Sequence, residues 1–302
     1  MPVQGSRLAM LTISGAGQDE SRRKGRVGGM RVWVDDRLVE DPYAPALAPL
    51  DHGITVGDGV FETLKVVGGR PFALTRHLDR LARSAHGLGL TGLDPAAVRR
   101  GVSAVLEAWD RPDGRLRITV TGGPAPLGSE RGDQGLTVMV AIAELPARPE
   151  STPLATVPWP RNERGALAGL KTTSYAENVV ALAHAREHGA TEALFANTVG
   201  NVCEGTGSNL FVVLGGEVYT PPLSAGCLAG VTRALVLEWC GGYEKDLPMS
   251  ALEEAEELFL TSTTRDVQAV NSLDGRKLTA PGPVTARVMA EFARAAADRI
   301  DP

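Results

Sequence analysis

The sequence predicts an α/β (α+β) protein of two domains, on three observations. Short alternating apolar runs joined by glycine or aspartate pairs recur in the first half and read as β-hairpins. Longer stretches with apolar residues at spacings of three and four read as helices. Pro146, Pro149 and Pro153 then punctuate a change of pattern, which places the boundary between a smaller domain, 30–147, and a larger one, 148–302. A chain of 302 residues has ample length for a core in each.

Residues 1–29 are rich in glycine, serine and charge, with one brief apolar patch from Leu8 to Ile13, and read as a flexible extension. Its basic cluster, Arg22-Arg23-Lys24-Gly25-Arg26, is read as solvated. From Arg31 the alternation predicts a hairpin turning at Asp35-Asp36, and a second over 60–74 turns at Gly68-Gly69. Between them Gly53, Gly57 and Gly59 fall within seven residues, a backbone that must bend sharply or approach something closely. Thr75 is the expected cap of a helix through Leu88, on which His77, Arg80, Leu81 and Ser84 share a face. Gly87 to Gly92 satisfies a GxGxxG spacing, but it follows a helix, whereas a dinucleotide site follows a strand and opens a helix; it is assigned to capping and a turn. Asp94-Pro95 opens a helix to about Trp109, and strands follow at 115–121 and 136–145.

The second half opens with a strand near 154–158. Tyr175 then opens a helix with the apolar run Val179, Val180, Leu182, Ala183 and Ala185, closed by His188 and Gly189. A strand over 192–197 and a turn at Gly200-Asn201 lead to Val202-Cys203-Glu204-Gly205. Phe211 to Val213 and Glu217 to Tyr219 flank a turn at Gly215-Gly216. The segment Leu228 to Thr232 begins a helix to about Trp239, and free amides beside a hydroxyl at a helix start suit a phosphate. Residues 258–270 read as one strand broken by hydroxyl residues, and Pro283 to Ile300 as an amphipathic closing helix.

A net charge of -5 and a pI near 5.6 argue against nucleic acid or an anionic membrane as the main partner and leave small metabolites. No apolar run approaches a membrane span of about 20 residues. Three cysteines, Cys203, Cys227 and Cys240, form no CxxC, so neither a disulfide framework nor a metal site is expected, and reduced thiols fit a cytoplasmic protein. Of 31 lysine and arginine residues only five are lysine: Lys24, Lys65, Lys171, Lys245 and Lys277. Arginine serves wherever a fixed charge suffices, but only a lysine amine can shed its proton and attack a carbonyl. Lys171, in the short apolar setting Gly169-Leu170-Lys171, is therefore the candidate nucleophile, although a lone lysine at a strand end is most often a surface group.

Lys171 followed by Tyr175, then Glu204-Gly-Thr-Gly-Ser-Asn-Leu-Phe, Thr220-Pro-Pro-Leu and Leu228-Ala-Gly-Val-Thr-Arg, resembles the class IV aminotransferases, the fold-type IV pyridoxal-phosphate enzymes. The likeness runs from about Met30 to the C-terminus. It implies the two-domain D-amino-acid aminotransferase-like architecture with pyridoxal 5'-phosphate in the cleft, and a homodimer. It also implies roles. Lys171 anchors the cofactor and moves protons at the substrate α-carbon, and Glu204 keeps the pyridine nitrogen protonated. Tyr175 lies near the phenolic oxygen. Arg80, as the arginine of His77-Leu78-Asp79-Arg80, offers its planar fork to two phosphate oxygens, joined by Leu228, Gly230, Val231, Thr232, Ser262 and Thr263. Phe61 and Thr264 lie toward the substrate, and Asn209 braces the glycine-rich bend. A buried carboxylate with no cation nearby is costly, so Glu204 makes sense with the pyridinium as its mate.

The same residues serve two reactions. One is aminodeoxychorismate lyase, which expels pyruvate to leave 4-aminobenzoate; the other is a transaminase for branched-chain or D-amino acids. Neither a Tyr-x-Arg nor an Arg-x-His signature is evident in 115–122, and Thr121 stands where many lyases carry an arginine before glycine. The compact family-like portion tips the expectation slightly to the lyase. A pyridoxal-phosphate-binding scaffold without turnover is the alternative from another class, against which the retained Lys171 argues.

Overall fold

The computed structural model describes residues 29–302, so the reading of 1–29 as an extension lies, but for Gly29, outside the described residues. Two sheets organise the chain. The first is antiparallel throughout and has six strands: β1 (Met30–Val34), β2 (Arg37–Val39), β3 (Gly59–Val67), β4 (Arg70–Pro71), β5 (Gly114–Thr121) and β6 (Thr137–Ala143), in the order β2-β1-β6-β5-β3-β4. Both expected hairpins are present. Asp35 and Asp36 turn the first at φ 42° and 64°, and Gly68 and Gly69 the second at φ 56° and 74°, so each tight turn uses the left-handed backbone its residues tolerate.

Helices α1 (His52–Thr55), α2 (Leu74–Leu88) and α3 (Pro95–Glu107) accompany this sheet. α2 packs on β3, and α3 on β6 and β1, around a core of Trp33, Leu64, Leu81, Val102, Leu116 and Ile142. The cap expected of Thr75 is not there. Ala73, at φ 54°, precedes the helix without a side-chain cap, and the Thr75 amide and hydroxyl are instead taken by the Asp301 carboxylate at 2.9 and 2.7 Å. Gly89 ends α2 at φ 76°, as the capping reading of Gly87 to Gly92 expects.

Between Ala143 and Ser151 the chain passes to a mixed sheet of nine strands: β7 (Ser151–Thr156), β8 (Glu192–Ala196), β9 (Val202–Gly205), β10 (Asn209–Leu214), β11 (Glu217–Thr220), β12 (Tyr243–Glu244), β13 (Glu257–Ser262), β14 (Asp266–Leu273) and β15 (Arg276–Lys277). Its order is β12-β11-β10-β13-β14-β7-β8-β9, with β15 beside β14. α4 (Ala176–Glu187) covers β7 and β8, while α5 (Val231–Cys240) and α6 (Pro283–Asp298) pack together, α5 on β13 and α6 on β13 and β14. Phe72 and Ala73, leaving the first sheet, enter the core of the second with Phe211, Phe259, Leu235 and Phe292. None of the described helices is long and apolar enough to cross a membrane.

One further reading needs correcting. Residues 258–270 form not one interrupted strand but the antiparallel pair β13 and β14, reversing through Thr263-Thr264-Arg265 with Asp266 at φ 54°. In α4, Asn178, Ala181 and Ala185 point inward, whereas Val179 and Val180 of the apolar run are 66% and 52% exposed. The small Ala181 and Ala185 let α4 lie close on β8.

Candidate active site

A cavity of about 520 Å³ opens between the two sheets. β3 and β5 bring Phe61 and Arg117 to its wall, α2 brings Arg80, and the segment 161–178 brings Arg161, Lys171 and Tyr175. β9 and its bend bring Glu204 and 205–208, the α5 start brings Leu228, Gly230, Val231 and Thr232, and the β13–β14 turn brings Ser262, Thr263 and Thr264. Every residue singled out from the sequence as catalytic, cofactor-binding or substrate-facing thus lines one space.

Lys171 is fixed along its backbone: its amide donates to Ser84 Oγ at 3.2 Å and its carbonyl accepts from the Phe61 amide at 3.0 Å. Its Nζ donates to Tyr175 Oη at 3.3 Å and lies 4.4 Å from the Phe61 ring centre. Burial, then the Arg80 charge, lowers its pKa to about 8 against the opposing pull of Glu62 and Glu204. Tyr175, held edge-on to Phe61 at 5.0 Å, is pushed up to about 12 by burial and then by Glu204, so its phenol stays protonated.

Arg80 is engaged within the protein along one edge. Its fork is already occupied, Nε to Glu62 Oε1 and Nη2 to Glu62 Oε2, both at 2.7 Å, and Nη1 donates to the Ala229 carbonyl at 2.9 Å. Three of five N–H groups are committed, and the two that remain sit one on Nη1 and one on Nη2. Burial would raise the Glu62 pKa, but the Arg80 charge and hydrogen bonds, with His77, bring it down to about 2. Glu62 is therefore an ion that only accepts. It follows that His77 Nδ1, 2.7 Å away, donates to it. Burial lowers the pKa of His77 despite Glu62, so the ring is neutral and Nε2 must accept from the Thr263 hydroxyl at 3.1 Å. Thr263 thereby spends its side-chain proton within the protein and keeps only its backbone N–H for a ligand.

Glu204 is not as expected, because a cation is present. Oε2 accepts the Leu228 amide at 2.9 Å, and Arg161 Nε lies 3.6 Å from Oε1. Burial prevails and raises the pKa of Glu204, although Arg161, the Leu228 amide, Lys171 and Arg80 pull it down. Asn209 braces the α5 start more than the bend: Nδ2 donates to the Leu228 carbonyl at 2.9 Å, and a Cβ on Gly230 would fall 2.0 Å from its Oδ1. α5 has no side-chain cap, so its first amides face the cavity.

Sequence reasoning missed Glu62, Arg117, Arg161 and Glu192. Arg265 reaches buried Glu192 at 2.5 Å, and Glu192 also takes the Thr206 hydroxyl and the Gly207 amide, tying the β13–β14 turn to the bend at 205–208. The available signal for Glu62 is a carboxylate set among apolar neighbours in Val60-Phe61-Glu62-Thr63-Leu64; for Arg161 there is none within its own segment.

A family model described as amino-transferase class IV matches residues 59–273. A D-alanine aminotransferase of Bacillus licheniformis is 33% identical over 86% of this chain and 94% of its own length. A bifunctional aminodeoxychorismate lyase / D-amino acid transaminase of Mycobacterium tuberculosis is 31% identical over 88% of this chain and 98% of its own. Among solved structures, the PLP-bound form of a hypothetical aminotransferase from Mycobacterium tuberculosis superposes with a TM-score of 0.79 at 28% identity, covering 89% of this chain and all of that one (100%).

Proposed function

The chain belongs to the class IV aminotransferases, and from that premise we propose that it moves an amino group between an α-amino acid and a 2-oxo acid. It is an enzyme, and the family uses pyridoxal 5'-phosphate, which when bound supplies an aldehyde to capture amines and a ring to take up the charge of the substrate α-carbon. The residues present fit that group. A lysine titrating near 8 presents its neutral amine far more readily than an ordinary one, which suits it to hold the cofactor and then to move the proton at the substrate α-carbon. Glu204 faces the cavity as a carboxylate for the ring nitrogen, and Tyr175 as a protonated phenol. The uncapped α5 amides of Val231 and Thr232 beside Gly230, with the Thr232 and Ser262 hydroxyls, the Thr263 amide and the two remaining Arg80 N–H groups, suit the phosphate. Leu228 serves through the amide that fixes Glu204, and Phe61 and Thr264 stand on the substrate side.

Arg117 supplies a site for a substrate carboxylate, and Thr121 tips the choice of reaction to the transaminase. Its guanidinium lies 3.8 Å over the Phe61 ring, the same ring that carries the Lys171 amine, and Nε meets only the Thr119 hydroxyl, at 3.3 Å. No described acidic side chain pairs with it, so it is a cation available to a substrate carboxylate. Thr121, where the lyase resemblance asks for arginine, donates instead to Asp51 at 2.9 Å and does not line the cavity. Arg117→Gln is expected to raise KM for the amino acid by about tenfold or more, the worth of one charge-assisted hydrogen bond, with a smaller change in kcat. An unchanged KM removes the argument.

The lyase remains the second reading, supported by the bifunctional relative and by the carboxylates of aminodeoxychorismate, which Arg117 suits equally. Aminodeoxychorismate offered alone separates the two. Release of 4-aminobenzoate without any 2-oxo acid supports the lyase, and conversion of the cofactor to its amine form by an amino acid supports the transaminase. We also read the protein as a cytoplasmic homodimer, for which the exposed Val179 and Val180 pair offers an apolar contact; light scattering of the purified protein tests the dimer.

A further inference from the structure

We infer that Arg161 is a positioning residue that holds the Glu204 carboxylate charged and aimed into the cavity. The inference rests on the proposed pairing of Glu204 with the cofactor ring and names the group on which that pairing depends. Arg161 is locked from three sides. Its Cζ lies 4.1 Å from the centre of the Phe195 ring, and Nη1 donates to Glu177 Oε2 at 2.5 Å and to Asn178 Oδ1 at 3.0 Å. Its Nε is buried and without a hydrogen-bond partner among the described residues, 3.6 Å from Glu204 Oε1. A buried N–H without an acceptor is rare, and this one faces a carboxylate oxygen just beyond hydrogen-bond reach. The other oxygen, Oε2, is fixed by the Leu228 amide, so the carboxylate is gripped by a dipole on one side and a cation on the other.

The surroundings explain why a dedicated cation is needed. Besides Arg161, the charged and titratable groups acting on Glu204 are Lys171 and Arg80, with Tyr175, Cys203 and Cys227 as its neutral neighbours. Arg80 already neutralises Glu62. Lys171 loses its charge as the pH rises through about 8 and is the group expected to be consumed in holding the cofactor. Of these three cations Arg161 is the one that keeps its charge across the working range and has, besides Glu204, only the exposed Glu177 as an acidic contact.

The test begins with the cofactor-free protein. Glutamate labelled with 13C at Cδ, assigned with Glu204→Gln, reports the titration of Glu204 directly. The inference expects a midpoint below neutral pH in the wild type, an upward move of about one pH unit or more in Arg161→Gln, and a near-normal midpoint in Arg161→Lys. A wild-type midpoint above neutral, or an unmoved midpoint in Arg161→Gln, overturns it. Arg161→Met, which keeps a stem against Phe195, stands in if the glutamine variant does not fold. The second readout is the dissociation constant for pyridoxal 5'-phosphate in a double-mutant cycle. Arg161→Gln should weaken binding by about tenfold when Glu204 is present and by less than about twofold in Glu204→Gln. Equal losses in both backgrounds show Arg161 acting as packing alone and overturn the inference. If Glu204→Gln itself leaves affinity untouched while the titration shifts as expected, the proposed pairing of Glu204 with the ring fails and the Arg161 inference stands.

Discussion

Lys171 carries a charge that the folded protein resists. A folded-state value near 8 against an ordinary 10.5 means that the native protein binds fewer protons than the unfolded chain between those two values. Stability therefore climbs with pH across that window, and the full penalty of burying the ammonium is felt below about 8. Lys171→Met is expected to make the cofactor-free protein more stable than wild type at pH 7, by about 1–2 kcal/mol after allowing for partial exposure, with the gain fading as the pH rises through 8 toward 10.5. Urea denaturation at pH 7 and pH 10 measures both ends, and an equal gain at the two would sink this account of the lysine. Lys171 was legible in the sequence because an amine is unusual in its apolar setting, and Tyr175 and Glu204 through the motifs that carry the family resemblance. Glu62 was not. β3 is buried on both faces, so no alternation marks the glutamate as inward, and its two partners come from a helix fifteen and eighteen residues on. The occupied fork of Arg80 was hidden for the same reason, since an arginine's unclaimed N–H groups can be counted only once its neighbours are placed.

The helix start at Gly230 and the turn after Ser262 form the part of the cavity where backbone, not side chain, does the recognising. Gly230 has an ordinary φ of -66°, so conformational freedom is not its purpose; space is. In Gly230→Ala the new methyl would meet Asn209 Oδ1 at 2.0 Å and must displace a side chain that holds the Leu228 carbonyl. The variant is expected to lose about 1–3 kcal/mol of stability and to bind pyridoxal 5'-phosphate at least about tenfold more weakly. Calorimetry and fluorescence titration check the two, and unimpaired binding would show that this helix start does not face the ligand. The α5 start announced itself in sequence through a hydroxyl and small residues ahead of an apolar run. The reversal after Ser262 did not, because Thr263-Thr264-Arg265 contains no glycine or proline and the left-handed residue that completes it is Asp266. That turn is held from outside, by Lys65 on Asp266 at 2.5 Å and Glu192 on Arg265, contacts that join residues 201 and 73 positions apart.

At the scale of the whole molecule, the first sheet and its helices are not closed by their own sequence. The start of α2, the helix that carries His77 and Arg80, is completed by residues beyond α6: the Ile300 carbonyl accepts the Ala73 amide at 2.7 Å, and Asp301 takes the Thr75 amide and hydroxyl. Asp301→Ala is expected to cost about 1–2 kcal/mol, as loss of a helix cap does, and the variant Thr75→Ala should add little to it. A melting temperature unchanged in Asp301→Ala would mean that solvent caps α2 just as well. The two-sheet plan was visible in the change of pattern around Pro146 to Pro153, but a cap 226 residues away leaves no trace near Thr75, where a nearby hydroxyl offered itself as the local answer. During synthesis on the ribosome the consequence is one of timing. A nascent chain can assemble the first sheet early, yet the helix bearing Arg80 waits uncapped until Ile300 and Asp301 have been made and have folded back on it, so this wall of the cavity is finished only after the second sheet has formed.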